Sequence, residues 1–448
     1  MAEASGVPEA SKLSGPLLAL YARLGAWRKQ AASVYTGCQT QLLEWPSLTV
    51  EWLPDRRDTR FHDFALHSVA VGTQALPGSL NYVATIESAV PVDMEDLADF
   101  LSGEDGVAVA GGAAFADVKG HTRVTQMIPV DGVVHKIRAM PKWSHILAVT
   151  TSSSGMIDIH HTLSRPSFSA DPSDSTPNLR LKGLKQPGFG LEWSFPEPGM
   201  IVAGSDDGTI AYWDIAGPME AFDDEDDRAA AGGSVRFSDC VPPVAKFVGH
   251  TDVVHDVACH RLHPNILASA CQDGTVSVWD SRVVTAATYN MRNAHAGGAF
   301  GVSFHYTAAH SLASCGADGA VSLWDIRRPE APTHELMFHT AGVAGVAWAP
   351  FSDSALMSYG LDGNVVLWDL NRSGLPSTNP DASAPSELAF LHAGHLSRVT
   401  EARWCPNLDD EWLVASCDAS NMLQLFRPSA DAIEEHVEAE AFDVDVDD

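Results

Sequence analysis

The sequence predicts an all-β protein, a seven-bladed propeller with one α-helix at its N-terminal end. Three observations carry that prediction. Trp-Asp recurs at Trp213-Asp214, Trp279-Asp280, Trp324-Asp325 and Trp368-Asp369, each closing a run that alternates small and apolar residues, as in TVSVWD and NVVLWD; such alternation is strand patterning. The last two steps between these tryptophans are 45 and 44 residues, the period of a propeller blade. His250, His295 and His339 each stand 29 residues ahead of their tryptophan, so the repeat has a fixed internal register.

Taken in chain order, Leu17, Leu18, Leu20, Tyr21, Leu24, Trp27 and Tyr35 fall at helical spacing with Arg23, Arg28 and Lys29 among them. This predicts an amphipathic helix over about 11–34. A propeller does not require it, so it is expected to dock on the ring or bind a partner. The strand-rich stretch 45–128 supplies the first blade. Ser47-Leu48-Thr49-Val50-Glu51-Trp52 is expected to pair with the last blade and close the ring, which removes open sheet edges. Six units then share the register. Leu184 stands 29 residues before Trp213, Val130 stands 29 before Ile159, and His395 precedes Phe426 by 31, with a surplus near Leu408-Asp409-Asp410. Nine residues after the histidine-type position comes an apolar residue (Trp193, Cys259, Phe304, Trp348, Trp404) that marks the innermost strand.

Three units carry a complete set: His250, Ser269, Asp273, Trp279; His295, Ser314, Asp318, Trp324; and His339, Ser358, Asp362, Trp368. Serine, histidine and aspartate together invite a catalytic reading. Three copies at one spacing point instead to a repeated buried network, in which aspartate orients histidine, histidine reaches the hydroxyl and the hydroxyl reaches the indole N–H. No glycine-rich nucleotide loop or metal-ligand spacing is present, so no cofactor and no metal are expected, and His160-His161 reads as an exposed pair.

The chain divides into an N-terminal segment 1–36, a propeller 37–428 and an acidic tail 429–448. Of 448 residues, 28 are Lys or Arg and 58 Asp or Glu, a net charge of −30. That argues against a broad basic face for nucleic acid. Acids gather at 93–105, in the insertion around Glu220–Asp227, and in the tail, where residues 431–448 hold nine acids and no Lys or Arg. The tail is expected to be disordered, either as a solubilising segment or as a polyanion that shields basic proteins. Seven cysteines without a CxxC pair read as reduced thiols in a cytosolic or nuclear protein. No stretch is long and apolar enough to span a membrane.

Gln41-Leu42-Leu43-Glu44-Trp45-Pro46-Ser47-Leu48-Thr49, preceded by Trp27-Arg28-Lys29 and Tyr35, resembles the LEWPSLT segment and N-terminal helix of the retinoblastoma-binding, histone-binding WD-repeat proteins, which include the small subunit of chromatin assembly factor. Asn178-Leu179-Arg180-Leu181-Lys182-Gly183 and Phe390-Leu391-His392-Ala393-Gly394-His395 resemble two further motifs of that family. The resemblance runs from about residue 20 to 427. It implies a non-enzymatic nuclear adaptor, with a cytoplasmic pool allowed, monomeric within hetero-complexes. Such a protein carries histones H3–H4 for chromatin assembly, remodelling, deacetylase or methyltransferase complexes. The alternative is a scaffold that kept the fold and lost the histones.

The resemblance also implies two surfaces. A side groove for a helix of histone H4 falls on Trp27, Val34, Tyr35, Asp381, Glu387, Phe390 and Leu391. Ser33 stands where one apolar contact would be, and fewer acids remain in the loop, so H4 binding is expected with reduced charge pairing. A top surface for a basic peptide such as the H3 N-terminus falls on Glu44, His135, Lys136, Phe189, His255, Phe300, Arg398 and Asp418. The family lines it mainly with residues three and five places after the histidine-type position. Here those are Val133, Pro187, Val253, Gly298, Gly342, Arg398 and His135, Phe189, His255, Phe300, Ala344, Thr400, none of them acidic. Glu44 is retained, and Asp418 is expected to replace a family glutamate in part. Weak binding of an unmodified H3 tail is expected, with the surface either unused or turned to another ligand held by Phe189 and Phe300.

Overall fold

The computed structural model describes residues 27–434 apart from 28, 30, 32, 59–63, 77, 92–121, 170, 219–239, 284 and 375–383. Its strands form seven sheets arranged as blades. The innermost strands are Val50–Asp58, Val134–Ala139, Leu191–Trp193, Val254–Cys259, Ala299–Phe304, Val343–Trp348 and Val399–Trp404. Each contacts the innermost strand of the next blade, and Val399–Trp404 meets Val50–Asp58, so the ring is closed. The apolar cores lie between blades; one, for example, joins Ile159 and Leu181 of blade two to Trp193 and Trp213 of blade three.

The closing strand is not the expected one. Tyr35–Leu42 pairs with Met422–Pro428, with Cys38 opposite Phe426 and Leu42 opposite Met422. Val50–Asp58 is instead the innermost strand of blade one. The burial pattern gives the reason. Val50, Glu51 and Trp52 are buried in succession, as an innermost strand demands, whereas Tyr35–Leu42 alternates buried and partly exposed residues like an outer strand. The propeller therefore begins at Tyr35, directly after helical residues that include Trp27, Ala31 and Val34. The rest of the anticipated helix lies outside the described residues, as do the acidic stretch 93–105, the 220–227 insertion and the tail beyond 434. The start of that tail is ordered. Ala430–Glu434 is a short helix, the Ser429 N–H donates to the Val34 carbonyl at 2.9 Å, and Arg372 donates to the Ile433 carbonyl. Blade two has an unanticipated fifth strand, Cys240–Val241, parallel to Leu179–Leu181. His160 and His161 are buried, not exposed, with His160 only 1% accessible.

In five blades the innermost strand carries a β-bulge at one repeat position, at His135, His255, Phe300, Ala344 and Thr400. A bulged residue leaves the ladder and is re-aimed. The residues just beyond it, Lys136, Arg138, Asp256, Glu401 and Arg403 among them, line a central channel that encloses about 290 Å³.

The repeated histidine sets form hydrogen-bonded chains at the blade edges. In blade five His295 Nδ1 lies 3.1 Å from Asp318, His295 Nε2 lies 2.7 Å from Ser314 Oγ, and the Trp324 indole N–H donates to Ser314 Oγ at 2.8 Å. Burial holds His295 below its usual pKa, so the ring is neutral. Its Nδ1–H then serves Asp318, and its Nε2 accepts from the serine hydroxyl. Blade six repeats this geometry with His339, Ser358, Asp362 and Trp368. In blade four His250 reaches Ser269 at 2.6 Å and Trp279 donates to Ser269 at 2.8 Å, but Asp273 stands 3.5 Å from His250 and Thr275 Oγ1 approaches Nδ1 at 3.1 Å. Gly249, before His250, packs so closely on Trp279 that a Cβ would lie 2.8 Å from the indole, which explains the Gly-His pair. Blade three has Ala203 in place of the serine, and Trp213 donates instead to the Lys182 carbonyl at 3.0 Å.

Ser314→Ala strands the Trp324 N–H and the His295 nitrogen, and should cost about 1–3 kcal/mol. Urea unfolding of the variant tests this; an unchanged midpoint would remove these networks from the account of stability.

Candidate functional site

The first candidate surface is the junction of the N-terminal helix, the closing strand and the outer strand of blade six, Leu388–His392. A continuous polar chain pins it together. The Trp27 indole donates to the Tyr35 hydroxyl at 2.9 Å, the Tyr35 hydroxyl lies 2.7 Å from His392 Nδ1, and His392 Nε2 lies 2.6 Å from Gln424 Oε1. Gln424 Nε2 donates onward to the Gly394 carbonyl at 3.3 Å. Burial holds His392 well below its ordinary pKa and pushes Tyr35 up, so both are neutral and the tyrosine O–H donates to the imidazole. The His392 ring stacks on Phe426 at 3.8 Å, and Tyr35 meets Phe390 edge-on at 5.1 Å. Gly394 leaves room for Trp27, whose ring would lie 2.6 Å from an added Cβ.

Of the residues expected here, Tyr35 and Phe390 are therefore buried supports. Trp27 and Val34 are half-buried, and Leu391, 38% exposed, points outward between its buried neighbours Phe390 and His392. Glu387 is not an open charge partner: it is buried and sits 3.1 Å from His334 Nε2, which, with hydrogen bonds to its carboxylate, holds it below the usual range against the opposing effect of burial. Asp381 lies outside the described residues.

The second candidate surface is the channel and its mouth. His135 stacks on Phe189 with centroids 4.4 Å apart, and His255 meets Phe300 edge-on at 5.0 Å. His255 Nε2 lies 2.8 Å from Gln272 Oε1, and Gln272 Nε2 donates to the Gly297 carbonyl at 2.9 Å. Asp206, on a turn of blade three, feels both His135 and His255, and its Oδ1 is buried without a hydrogen bond. Counting only the third and fifth positions of each repeat misses Asp206. It occupies the position of Gln272 in the next blade, three residues after the small residue that faces the tryptophan, and comparing that position across repeats would have found it.

Three expected mouth residues belong elsewhere. Lys136 lies inside the channel, 2.9 Å from Glu401. Asp418 is fully buried, 3.3 Å from His395 Nδ1, and accepts from the backbone of Leu396, Ser420 and Met422. It serves as the aspartate of a fourth network, with His395 and Ser416 2.7 Å apart, and has no oxygen to spare for a ligand. Glu44 is exposed but lines a groove between the closing strand and blade one, with Leu42, Trp45 and Tyr82. Arg398 is exposed on blade seven.

Within the channel Glu401 is the most heavily bonded group. It accepts from Thr49 Oγ1 at 2.6 Å, the Val50 N–H at 3.0 Å, Arg138 at 2.7 Å and Lys136 at 2.9 Å. Desolvation opposes its charge, yet Arg138, Lys136 and Arg403 hold its pKa far below the ordinary value. Sequence reasoning passed over this network. The signal was charge at the sixth and eighth positions of apolar innermost strands, where a soluble β-protein has little reason to place Lys136, Arg138, Glu192, Asp256, Glu401 and Arg403.

Residues 24–91, the helix, closing strand and first blade, match the family described as the histone-binding protein RBBP4 or the corresponding subunit of the CAF1 complex. Residues 241–280, 287–325 and 330–369 match WD-domain repeats. The fission yeast Schizosaccharomyces pombe protein named histone acetyltransferase type B subunit 2 is 36% identical over 405 residues, 90% of this chain and 89% of its own. The chain belongs to the histone-binding WD-repeat family. Within that family's architecture the first match covers the helix and closing strand that the Trp27–Tyr35–His392 chain fixes, so the most specific sequence signal and the most elaborate side-chain network coincide.

Glu401→Ala leaves Arg138 and Lys136 without their shared carboxylate and should cost about 3–5 kcal/mol at neutral pH. Glu401→Gln keeps acceptors for Thr49 and Val50 and should cost less. Because the folded-state pKa of Glu401 is depressed, its contribution is complete above the unfolded value of 4.5 and is lost as pH falls toward the folded value. The gap in unfolding free energy between wild type and Glu401→Gln should narrow below that pH, and a gap independent of pH would refute the charge argument.

Proposed function

We propose that the protein is a non-enzymatic, nuclear histone-binding adaptor that presents H3–H4 to a chromatin-modifying or assembly complex. Its side groove takes a helix of histone H4. The observation that carries this reading is the pinned junction of Trp27, Val34 and Leu391, an apolar strip at a helix–strand corner. A groove of this kind accepts one face of an amphipathic helix. The family match over residues 24–91 and the name of the fission yeast relative support it. The net charge of −30 favours encounter with basic proteins through long-range steering. Exposed Ser33 and engaged Glu387 leave the groove relying on apolar contact more than on ion pairs.

Titration calorimetry with a peptide spanning the first helix of H4 tests this. Leu391→Asp should weaken binding by about tenfold or more, since burying one leucine contributes about 1.5–3 kcal/mol, while thermal unfolding stays unchanged. No measurable H4 binding by the wild type would favour a scaffold without histones. An unmodified H3 N-terminal peptide should bind more weakly than micromolar, because guanidinium and ammonium groups need carboxylate partners when desolvated. Micromolar or tighter binding that Glu44→Ala abolishes would overturn that expectation.

A further inference from the structure

We propose that the mouth of the channel binds a methylated ammonium side chain, of the trimethyl-lysine type, held by Phe189, Phe300 and Asp206. The inference rests on the adaptor reading only for the source of the ligand, a modified histone tail.

The argument begins with the bulges. His135, His255 and Phe300 each occupy the bulged position of an innermost strand, and Phe189 takes the equivalent place in blade three. A bulge frees a side chain from the sheet face, and here it gathers two phenylalanines and two imidazoles from four consecutive blades. One ring of each pair supports the other: His135 lies flat on Phe189, and His255 meets Phe300 edge-on. Phe189 remains 36% exposed, so an aromatic surface is left open toward solvent. Burial holds His135 below its usual pKa and therefore neutral, so that ring does not repel a cation.

Asp206 supplies the charge. It stands between His135 and His255 in blade order, its Oδ1 is buried, and no hydrogen bond reaches that atom. A buried carboxylate oxygen without a donor is costly, and a cation seated beside it removes that cost. Aromatic faces attract the same cation through their quadrupoles.

The polar inventory selects the kind of cation. A bare ammonium brings three N–H donors and a guanidinium five. The acceptors near the mouth are largely committed: Gln272 Oε1 to His255, the Gly297 carbonyl to Gln272, and the backbone of Gly188 to His135. One carboxylate cannot satisfy three donors, and each donor left buried and unpaired weakens binding. A trimethylated ammonium has no donors to satisfy, and its methyl groups match the aromatic walls. The features that make this mouth poor for an unmodified basic tail make it suited to a methylated one.

Fluorescence anisotropy with a labelled pentapeptide tests the inference. The peptide carries a central trimethyl-lysine flanked by alanines, and is compared with its lysine and norleucine counterparts. The trimethyl-lysine peptide should bind about fivefold or more tightly than either, the span expected for a partly desolvated cation–π contact. Asp206→Asn and Phe300→Ala should each erase the preference while melting behaviour is kept; the near-isosteric Asp206→Asn guards against a folding artefact in the larger truncation. Binding of the H4 helix peptide should persist in both variants. Equal or tighter binding of the lysine peptide, a preference that survives both substitutions, or no detectable binding of any of the three overturns the proposal. If the preference appears as expected while the wild type fails to bind the H4 peptide, the site stands and the adaptor reading falls.

Discussion

A ring of blades has an unavoidable defect: the innermost strand of every blade is a sheet edge. Its outward N–H groups face the next blade and not a ladder partner, and buried backbone donors must be satisfied. The molecule solves this with side chains from the preceding blade. Thr49 Oγ1 accepts from the Ile137 N–H, Glu192 from Cys259, Asp256 from Val302, Ser303 from Trp348, and Glu401 from Val50. Five junctions of the ring thus have one polar atom stitching strand to strand. Two carboxylates among them draw a second blade's cations in turn, as Glu401 does with Arg138 and Glu192 with Arg261. The channel charge is a consequence of closing the ring.

That constraint divides the innermost strand into residues that are committed and residues that are free. The sixth and eighth positions hold the stitching and counter-charged groups. The fifth is lifted out of the ladder by the bulge and carries no such duty, so it can hold histidine, phenylalanine, alanine or threonine without cost to closure. Recognition chemistry at the mouth can change while the channel beneath it stays fixed. Lys136 and His135 are adjacent in sequence, yet one closes the ring and the other faces a prospective ligand.

The blades and their polar networks were legible because a propeller writes the same spacing again and again, and His, Ser, Asp and Trp at one spacing admit one physical explanation. The closing strand was misread because Ser47–Trp52 is the more strand-like run; Tyr35–Leu42, interrupted by glycine and threonine, shows its role only once its alternation is set against an actual partner in Met422–Pro428. Asp418 was misplaced for a related reason. The last unit is two residues longer, so counting put its aspartate at the mouth, while the chain bends it back to His395. Asp206 and the channel carboxylates went unseen because their meaning depends on the neighbouring blade, and a register within one repeat says nothing about contacts between repeats.

The acidity of the chain takes a different meaning in this light. The channel carboxylates are matched by arginines and a lysine within the ring: Glu51 by Arg403 at 3.2 Å, Glu192 by Arg261 at 2.8 Å, Glu401 by Arg138 and Lys136. Asp273, Asp325 and Asp362 are occupied at the blade edges by threonine, arginine and histidine. These charges are bound internally and offer little to a partner. The unmatched excess lies in peripheral segments, with six acids in the 220–227 insertion and nine in the tail. A field of that kind attracts basic proteins from a distance but cannot discriminate among them, since exposed charges are screened over about 8 Å in physiological salt. Discrimination has to come from the two places where the fold leaves contact surface unspent, the pinned helix–strand corner and the bulged mouth, and both are built mainly of apolar and aromatic groups.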